Sequence, residues 1–197
     1  MKTDIVLAGV GGQGILSIAT ILCAAALKED LHLKQAEVHG MSQRGGDVQS
    51  NLRLSSLPIA SDLIPLGGAD LIVSLEPMEA LRYLPYLSPK GWIVTNTAPF
   101  VNIEDYPEVE TLERELAKHD NVVSFNMDDV AKEVASPRAS NMVLLGAATP
   151  FIGIDPSKVG EGIRTVFAAK GEAVVESNLK AFAAGLEYTQ NLLKNRK

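Results

Sequence analysis

The arrangement of apolar and polar positions predicts the elements of this chain in order. Thr3 to Ala8 is a short apolar run with the β-branched Ile5 and Val6 at its centre, and predicts a strand. Ile15 to Lys28 predicts a helix, because Ile15, Ala19, Leu22 and Ala26 recur at helical spacing. That face is mostly small, which lets a helix lie close to a sheet. Lys34 to His39 reads as a second strand, followed by "GMSQRGG", which is too rich in glycine and polar groups for regular structure. Asp47 to Ser55 alternates, with Val48, Ser50, Leu52 and Leu54 on one face and Gln49, Asn51 and Arg53 on the other. Period two predicts a half-solvated strand. So short a connection makes it antiparallel to its neighbour, since a parallel return needs a crossover of a dozen or more residues.

Ala69 to Leu75 and Gly91 to Thr97 are continuous apolar runs that predict buried parallel strands. Met78 to Leu87, after Pro77, and Glu110 to Lys118 predict helices, and Asn121 to Asn126 a short strand. Ser140 to Gly153 is apolar nearly all round, so it is a helix buried on most sides, with Ser140 as its N-cap. Pro156 to Phe167 follows as a helix with proline in its first turn. Glu172 to Lys194 is long, with Val175, Leu179, Phe182, Leu186 and Leu193 on one stripe. Strands alternating with helices predict an α/β fold. The expected form is a three-layer Rossmann-like α/β/α sandwich. Its mostly parallel sheet carries an antiparallel strand or hairpin, and its last third is helical. No repeat or linker interrupts residues 1–197, which read as one domain.

Composition narrows the function. With 197 residues, 46% of them hydrophobic, the chain can bury a full core without cross-links. A formal net charge of -6 argues against nucleic acid or an anionic membrane surface as the partner. The single cysteine, Cys23, makes no intrachain disulfide and cannot by itself ligate zinc or an iron–sulfur cluster. It reads as a small buried helix residue, and this cysteine usage fits a reducing cytoplasm. The apolar run near the N-terminus is too short for a signal peptide, and no stretch reaches the ~18 apolar residues of a membrane span.

Two segments carry candidate chemistry. In "LAGVGGQGIL", Gly9, Gly11 and Gly14 have the spacing G-x-G-x-x-G between a strand and a helix. Glycines let a phosphate approach the backbone, the helix start offers free N–H groups, and Gln13 adds an amide donor beside Gly12. The plain alternative is that Gly14 only lets the helix pack closely. A dinucleotide reading needs an acid ending the second strand; Glu37 is followed by Val38 and His39 before the turn, out of register. No G-K-[ST] follows, so this is not a Walker A loop. "SNLR" resembles a downstream segment of adenylating enzymes, but Cys23 inside the first helix is poorly placed to form a thioester.

The second segment is "EVHGMSQRGGDVQSNLR". His39, Ser42, Gln43 and Arg44 follow the second strand, with Gly45 and Gly46 after them. Ligands of open α/β sheets meet the crevice beyond the carboxyl ends of the strands, where Glu76, Asn96 and Thr97 also fall. Arg44 offers a planar fork for phosphate or carboxylate. Each has a plainer role as well: His39 as a strand-end histidine without an acid partner, Arg44 as a solvated turn residue, Glu76 as support for a helix start.

"GVGGQG", "HGMSQRGG", "NMVLLGA" and "NLKAFAAG" occur in an order that resembles the gamma-type domain of the 2-oxoacid:ferredoxin oxidoreductases, and the resemblance spans nearly the whole chain. The pyruvate and 2-oxoglutarate branches carry a Tyr-Gly-Pro-Glu type segment before the RGG. Here Val38-His39-Gly40-Met41-Ser42-Gln43 stands in its place, similar to the beta subunits of the indolepyruvate branch, which acts on aryl pyruvates. The resemblance implies oxidative decarboxylation of a 2-oxoacid on thiamine diphosphate, acyl transfer to coenzyme A and reduction of ferredoxin through iron–sulfur clusters. This chain has no cysteine cluster and no Gly-Asp-Gly segment for a magnesium diphosphate. Those cofactors are expected in a larger alpha-type subunit, with ferredoxin and coenzyme A reached through the complex. The candidate ligand contacts are then Gly9, Gly11, Gly12, Gln13, Gly14, Arg44, Gly45 and Gly46, meeting a phosphate of coenzyme A. A stand-alone NAD(P)-type oxidoreductase or nucleotide-binding module is the alternative.

Overall fold

The computed structural model describes residues 1–39 and 45–196, apart from the side chain of His39. One mixed sheet forms its middle layer. The strands are β1 (Lys2–Val10), β2 (His32–His39), β3 (Asp47–Ser55), β4 (Ala69–Ser74), β5 (Leu87–Asn96) and β6 (Val122–Phe125). Their order is β2-β3-β1-β4-β5-β6, antiparallel through β2, β3 and β1 and parallel from β1 to β6. The expected α/β sandwich with an antiparallel hairpin is what forms.

Period two splits β1 between two cores. Ile5 and Leu7 face one side with Leu71, Val73 and Val94. There they meet α1 (Ile15–Leu27), α4 (Met127–Val134), α5 (Ser140–Ala148), α6 (Pro156–Phe167) and α7 (Glu172–Asn195). Val6 and Ala8 face the other side with Ile64, Ile72 and Tyr83. The helices α2 (Pro77–Arg82) and α3 (Val109–Leu116) belong to that second layer.

The helical layer is held by an unusually close crossing. A Cβ built on Gly146 of α5 would lie 1.9 Å from the Phe182 carbonyl oxygen of α7, and one on Gly185 would lie 1.9 Å from the Val143 carbonyl oxygen. Each helix therefore has a glycine where the other's backbone passes. All of α5 from Asn141 to Ala148 is buried, as its apolar sequence requires. Gly162 of α6 plays a similar part against α1, where an added Cβ would approach the Ile21 carbonyl oxygen to 2.8 Å.

Several expectations are corrected. The polar face of β3 is not solvated: Gln49 and Asn51 are buried, Asn51 only 3% exposed, and Arg53 is covered by the segment 61–63. Arg53 makes this possible. It donates to both carboxylate oxygens of Asp4, at 2.8 and 3.0 Å, and to the carbonyls of Ser61 and Leu63. Burial pushes the Asp4 carboxyl up, but the Arg53 and Lys2 charges outweigh it and hold the group below its ordinary value. The helix expected over Met78–Leu87 stops at Arg82; a single 3-10 turn at Leu84–Tyr86, containing Pro85, leads into β5. Ser140 is the first helical residue rather than the cap, which falls on Ala139. Leu192, not Leu193, packs from the end of α7 onto the core. Helix α4 was not anticipated, although Asn126 caps it by accepting from the Asp129 N–H.

Candidate functional site

The glycine turn after β1 is tied down from three directions. The Val10 N–H donates to Gln13 Oε1 at 2.7 Å, and Gln13 Nε2 donates to the Leu75 carbonyl at 3.3 Å. A Cβ on Gly9 would come within 3.1 Å of Gln13 Oε1, so Gly9 makes room for this fold-back. Gln13 thus joins the ends of β1 and β4. The Gly11 N–H donates to the Gly46 carbonyl at 2.8 Å, and the Gly45 N–H to the Gly11 carbonyl at 3.4 Å. These bonds continue the β1–β3 ladder one step beyond Val10↔Asp47. The two glycine-rich segments of the sequence are therefore one structure, and the Gly11 amide belongs to the sheet.

Gly12 and Gly14 have φ of 104° and 86°, and Gly14 is the N-cap of α1. The Asn141 amide donates to the Gly14 carbonyl at 3.2 Å, bringing the start of α5 against the start of α1. Between them lies a cleft of about 420 Å³ whose lining includes Gly12, Gly14, Asn96, Asp128, Arg138 and Asn141. Both helices start there with no capping side chain and no acid in the first turn. By contrast α2, α4 and α6 are capped by Glu76, Asn126 and Asp155. The cleft thus carries the partial positive charge of two helix starts, and Arg138 makes no ion pair among the described residues. The Asp128 carboxylate lines the same cleft and accepts from the Asn96 amide.

The remaining candidates separate. Asn96 lines this cleft, but its side chain donates to Asp128 and accepts from the Met127 and Ala98 N–H groups, which fixes β5 to α4. Thr97 lines a different cleft, with Glu113, His119 and Arg196. Glu76 is wholly buried. One of its oxygens caps α2 through the Glu79 N–H, and the other accepts from the Tyr106 hydroxyl and the Phe100 N–H. Burial and the Glu76 carboxylate push the Tyr106 phenol up. Burial likewise raises Glu79, against the opposing pull of Arg82. His39 pairs with Val48 at the end of β2. Its side chain, together with Ser42, Gln43 and Arg44, lies outside the described residues.

Arg138, Asn141 and Asp128 were not singled out from the sequence. The signal was the turn "SPRASN" before an apolar helix that lacks any acid in its first turn. Cys23 is half-buried in α1, and burial pushes its thiol up, so it is not a poised nucleophile. The dinucleotide alternative meets a topological obstacle. Antiparallel β3, not a parallel second strand, lies beside β1, and Glu37 stands on the edge strand β2.

A mixed sheet whose glycine turn is braced by antiparallel β3 sets this fold apart from a dinucleotide-binding domain. Residues 4–188 match the pyruvate ferredoxin/flavodoxin oxidoreductase family, and the chain belongs to it. It is 36% identical to the indolepyruvate oxidoreductase subunit IorB of Archaeoglobus fulgidus over 197 residues, 94% of each chain. It is also 36% identical to IorB of Pyrococcus horikoshii over 200 residues, 96% of this chain and 97% of that one. The fold is shared with a 2-oxoglutarate:ferredoxin oxidoreductase from Magnetococcus marinus, solved with 2-oxoglutarate, coenzyme A and succinyl-CoA bound. That match has a TM-score of 0.75 at 24% identity and covers 96% of this chain and 31% of that one. The chain is thus the small gamma-type subunit of a multisubunit 2-oxoacid:ferredoxin oxidoreductase.

Proposed function

We propose that the protein is the IorB-type subunit of an indolepyruvate:ferredoxin oxidoreductase. The observation that carries this is the near end-to-end identity to IorB chains of the same length class. The complex converts an aryl 2-oxoacid to its acyl-CoA, releasing carbon dioxide and passing electrons to ferredoxin. Thiamine diphosphate, magnesium and the iron–sulfur clusters belong to the larger subunit, and the assembly works in the cytoplasm. The donor set of this chain does not fit those groups. Its one cysteine is a half-buried thiol, and among the described residues no group of three or more His, Cys, Asp and Glu could hold a metal ion.

What this chain contributes is one wall of the coenzyme A path. The two uncapped helix starts, with Arg138 and with Arg44, which precedes Gly45 in the chain, receive a phosphate of coenzyme A. Gly12, beside which there is open space, keeps that approach clear.

Co-expression with the larger subunit tests the reading. The complex should reduce ferredoxin with indolepyruvate and coenzyme A faster than with pyruvate or 2-oxoglutarate, and the small chain alone should be inactive. A lone chain that binds NAD and finds no larger subunit would overturn it. Within an intact complex, Arg44→Ala or Arg138→Ala should raise the KM for coenzyme A about tenfold, the scale of one charge-assisted hydrogen bond. An unchanged KM in both removes the coenzyme A role but not the subunit assignment.

A further inference from the structure

Between β5 and α3 the chain crosses the crevice end of the sheet as an irregular strap, residues 97–108. Its inner side is pinned at chosen points. The Phe100 N–H and the Tyr106 hydroxyl both reach the buried Glu76, and Asn102 donates to the Gly45 carbonyl at 2.6 Å. Through Gly45 and Gly46 the strap is joined to Gly11 and so to the glycine turn. Its outer side is not used by the fold. Phe100, Val101 and Ile103 are 42%, 68% and 47% exposed, although they are large and apolar. Three in four consecutive positions is a patch rather than scatter.

The charge around the patch has one sign. Residues 97–110 hold Glu104, Asp105, Glu108 and Glu110, all exposed, and no lysine, arginine or histidine. None of these carboxylates makes an ion pair among the described residues. Some surface acids elsewhere are paired, as Glu161 is with Lys28 and Lys158, and Glu172 and Glu176 are with Arg164; what sets the strap apart is four acids within seven positions with no cation among them. A second group of exposed leucines, Leu57, Leu63 and Leu66, lies in residues 56–68, where Asp62 is the one charged residue.

We propose that the strap is the docking surface for the larger subunit, which meets it with an apolar pocket rimmed by lysine and arginine. This rests on the subunit assignment above. An apolar centre with a charged rim is the usual anatomy of such contacts. Its position makes it more than a patch: docking here loads the segment whose Asn102 holds Gly45, so assembly and the geometry of the glycine turn are linked through a few hydrogen bonds.

The test compares surface variants in the co-expressed complex. Phe100→Glu with Val101→Glu should lower recovery of the larger subunit at least about tenfold, whereas Leu57→Glu with Leu66→Glu leaves it unchanged. Glu104→Lys with Asp105→Lys should slow association and flatten its salt dependence. Amides of residues 98–104 should exchange more slowly in the wild-type complex than in the free chain, a readout that needs no variant to fold. Undiminished recovery with Phe100→Glu/Val101→Glu, or unaltered exchange, overturns the docking proposal. Conversion of a wild-type dimer of this chain to monomer by the same pair would also overturn it, by showing a second copy on the strap. Failure of the wild-type chains to assemble at all would instead strike the subunit assignment.

Discussion

Glycines build two joints in this molecule, and they do so for opposite reasons. At the α5–α7 crossing, Gly146 and Gly185 sit in ordinary helices, and what matters is the missing Cβ: any side chain would strike the other helix's backbone. At the crevice, Gly12 and Gly45 have φ of 104° and 78°, yet a Cβ on either would meet nothing within 4 Å. There the backbone shape matters and the space is left open. The first joint is closed packing and belongs to stability. The second is an open turn and belongs to whatever enters the crevice. The four segments that mark the family fall into these two joints. "NMVLLGA" meets "NLKAFAAG" at the crossing, and "GVGGQG" meets the end of "HGMSQRGG" through Gly11 and Gly46.

The sharpest way to break this contrast is Gly146→Ala or Gly185→Ala. Neither carbonyl can retreat without moving a helix, so each should cost about 3 kcal/mol or more. For a chain of this size that lowers Tm by roughly 6–12 °C. A smaller change than for Gly12→Ala would end the distinction. An ionic joint on the opposite face of the sheet offers a control that pH can dissolve. Asp4→Asn leaves Arg53 without its carboxylate and should cost about 3 kcal/mol at neutral pH. The Asp4 pKa is depressed in the fold, so the pair's contribution is complete above the ordinary value of 3.8 and is lost as pH falls below it. The gap between wild type and Asp4→Asn should therefore narrow in acid, whereas the gap to Gly146→Ala should not.

Gln13→Ala comes next. It removes the acceptor of the Val10 N–H and the link to Leu75, at about 1–2 kcal/mol by denaturant unfolding. The smallest expected effects are Gly12→Ala and Gly45→Ala, at about 1 kcal/mol each, because only backbone strain opposes them. If the crevice is a ligand path, these two variants should change the KM for coenzyme A in the complex more than they change Tm.

Much of this was legible in the chain. The apolar runs of β1, β4 and β5 and the brevity of the link between β2 and β3 carry local information that packing does not override. Helix α4 is not among the expected elements: Asn126 and the acids Asp128 and Asp129 that follow it are a start signal, but 8 residues leave little room for periodicity. The fate of β3's polar face was not legible. Gln49, Asn51 and Arg53 alternate like a solvated face, and it is the distant Asp4 and the carbonyls of Ser61 and Leu63 that make the covering of Arg53 tolerable. Glu76 shows the same limit. Its position at a strand end marked it for the crevice, and Tyr106, 30 residues away, turned it inward.

The sequence by itself determined the alternation of strands and helices, the antiparallel hairpin, the glycines that bend the turns and the family to which they belong. These depend on spacing, backbone freedom and residue type, which are local. The tertiary structure decided which glycines are spacers and which are hinges, that Gly11 serves the sheet, and that Arg138 and Asn141 share a cleft with Gly14. It also left Phe100, Val101 and Ile103 facing outward. Those outcomes depend on which backbone passes within a bond length or two of another, and that proximity is fixed only when distant segments close on one another.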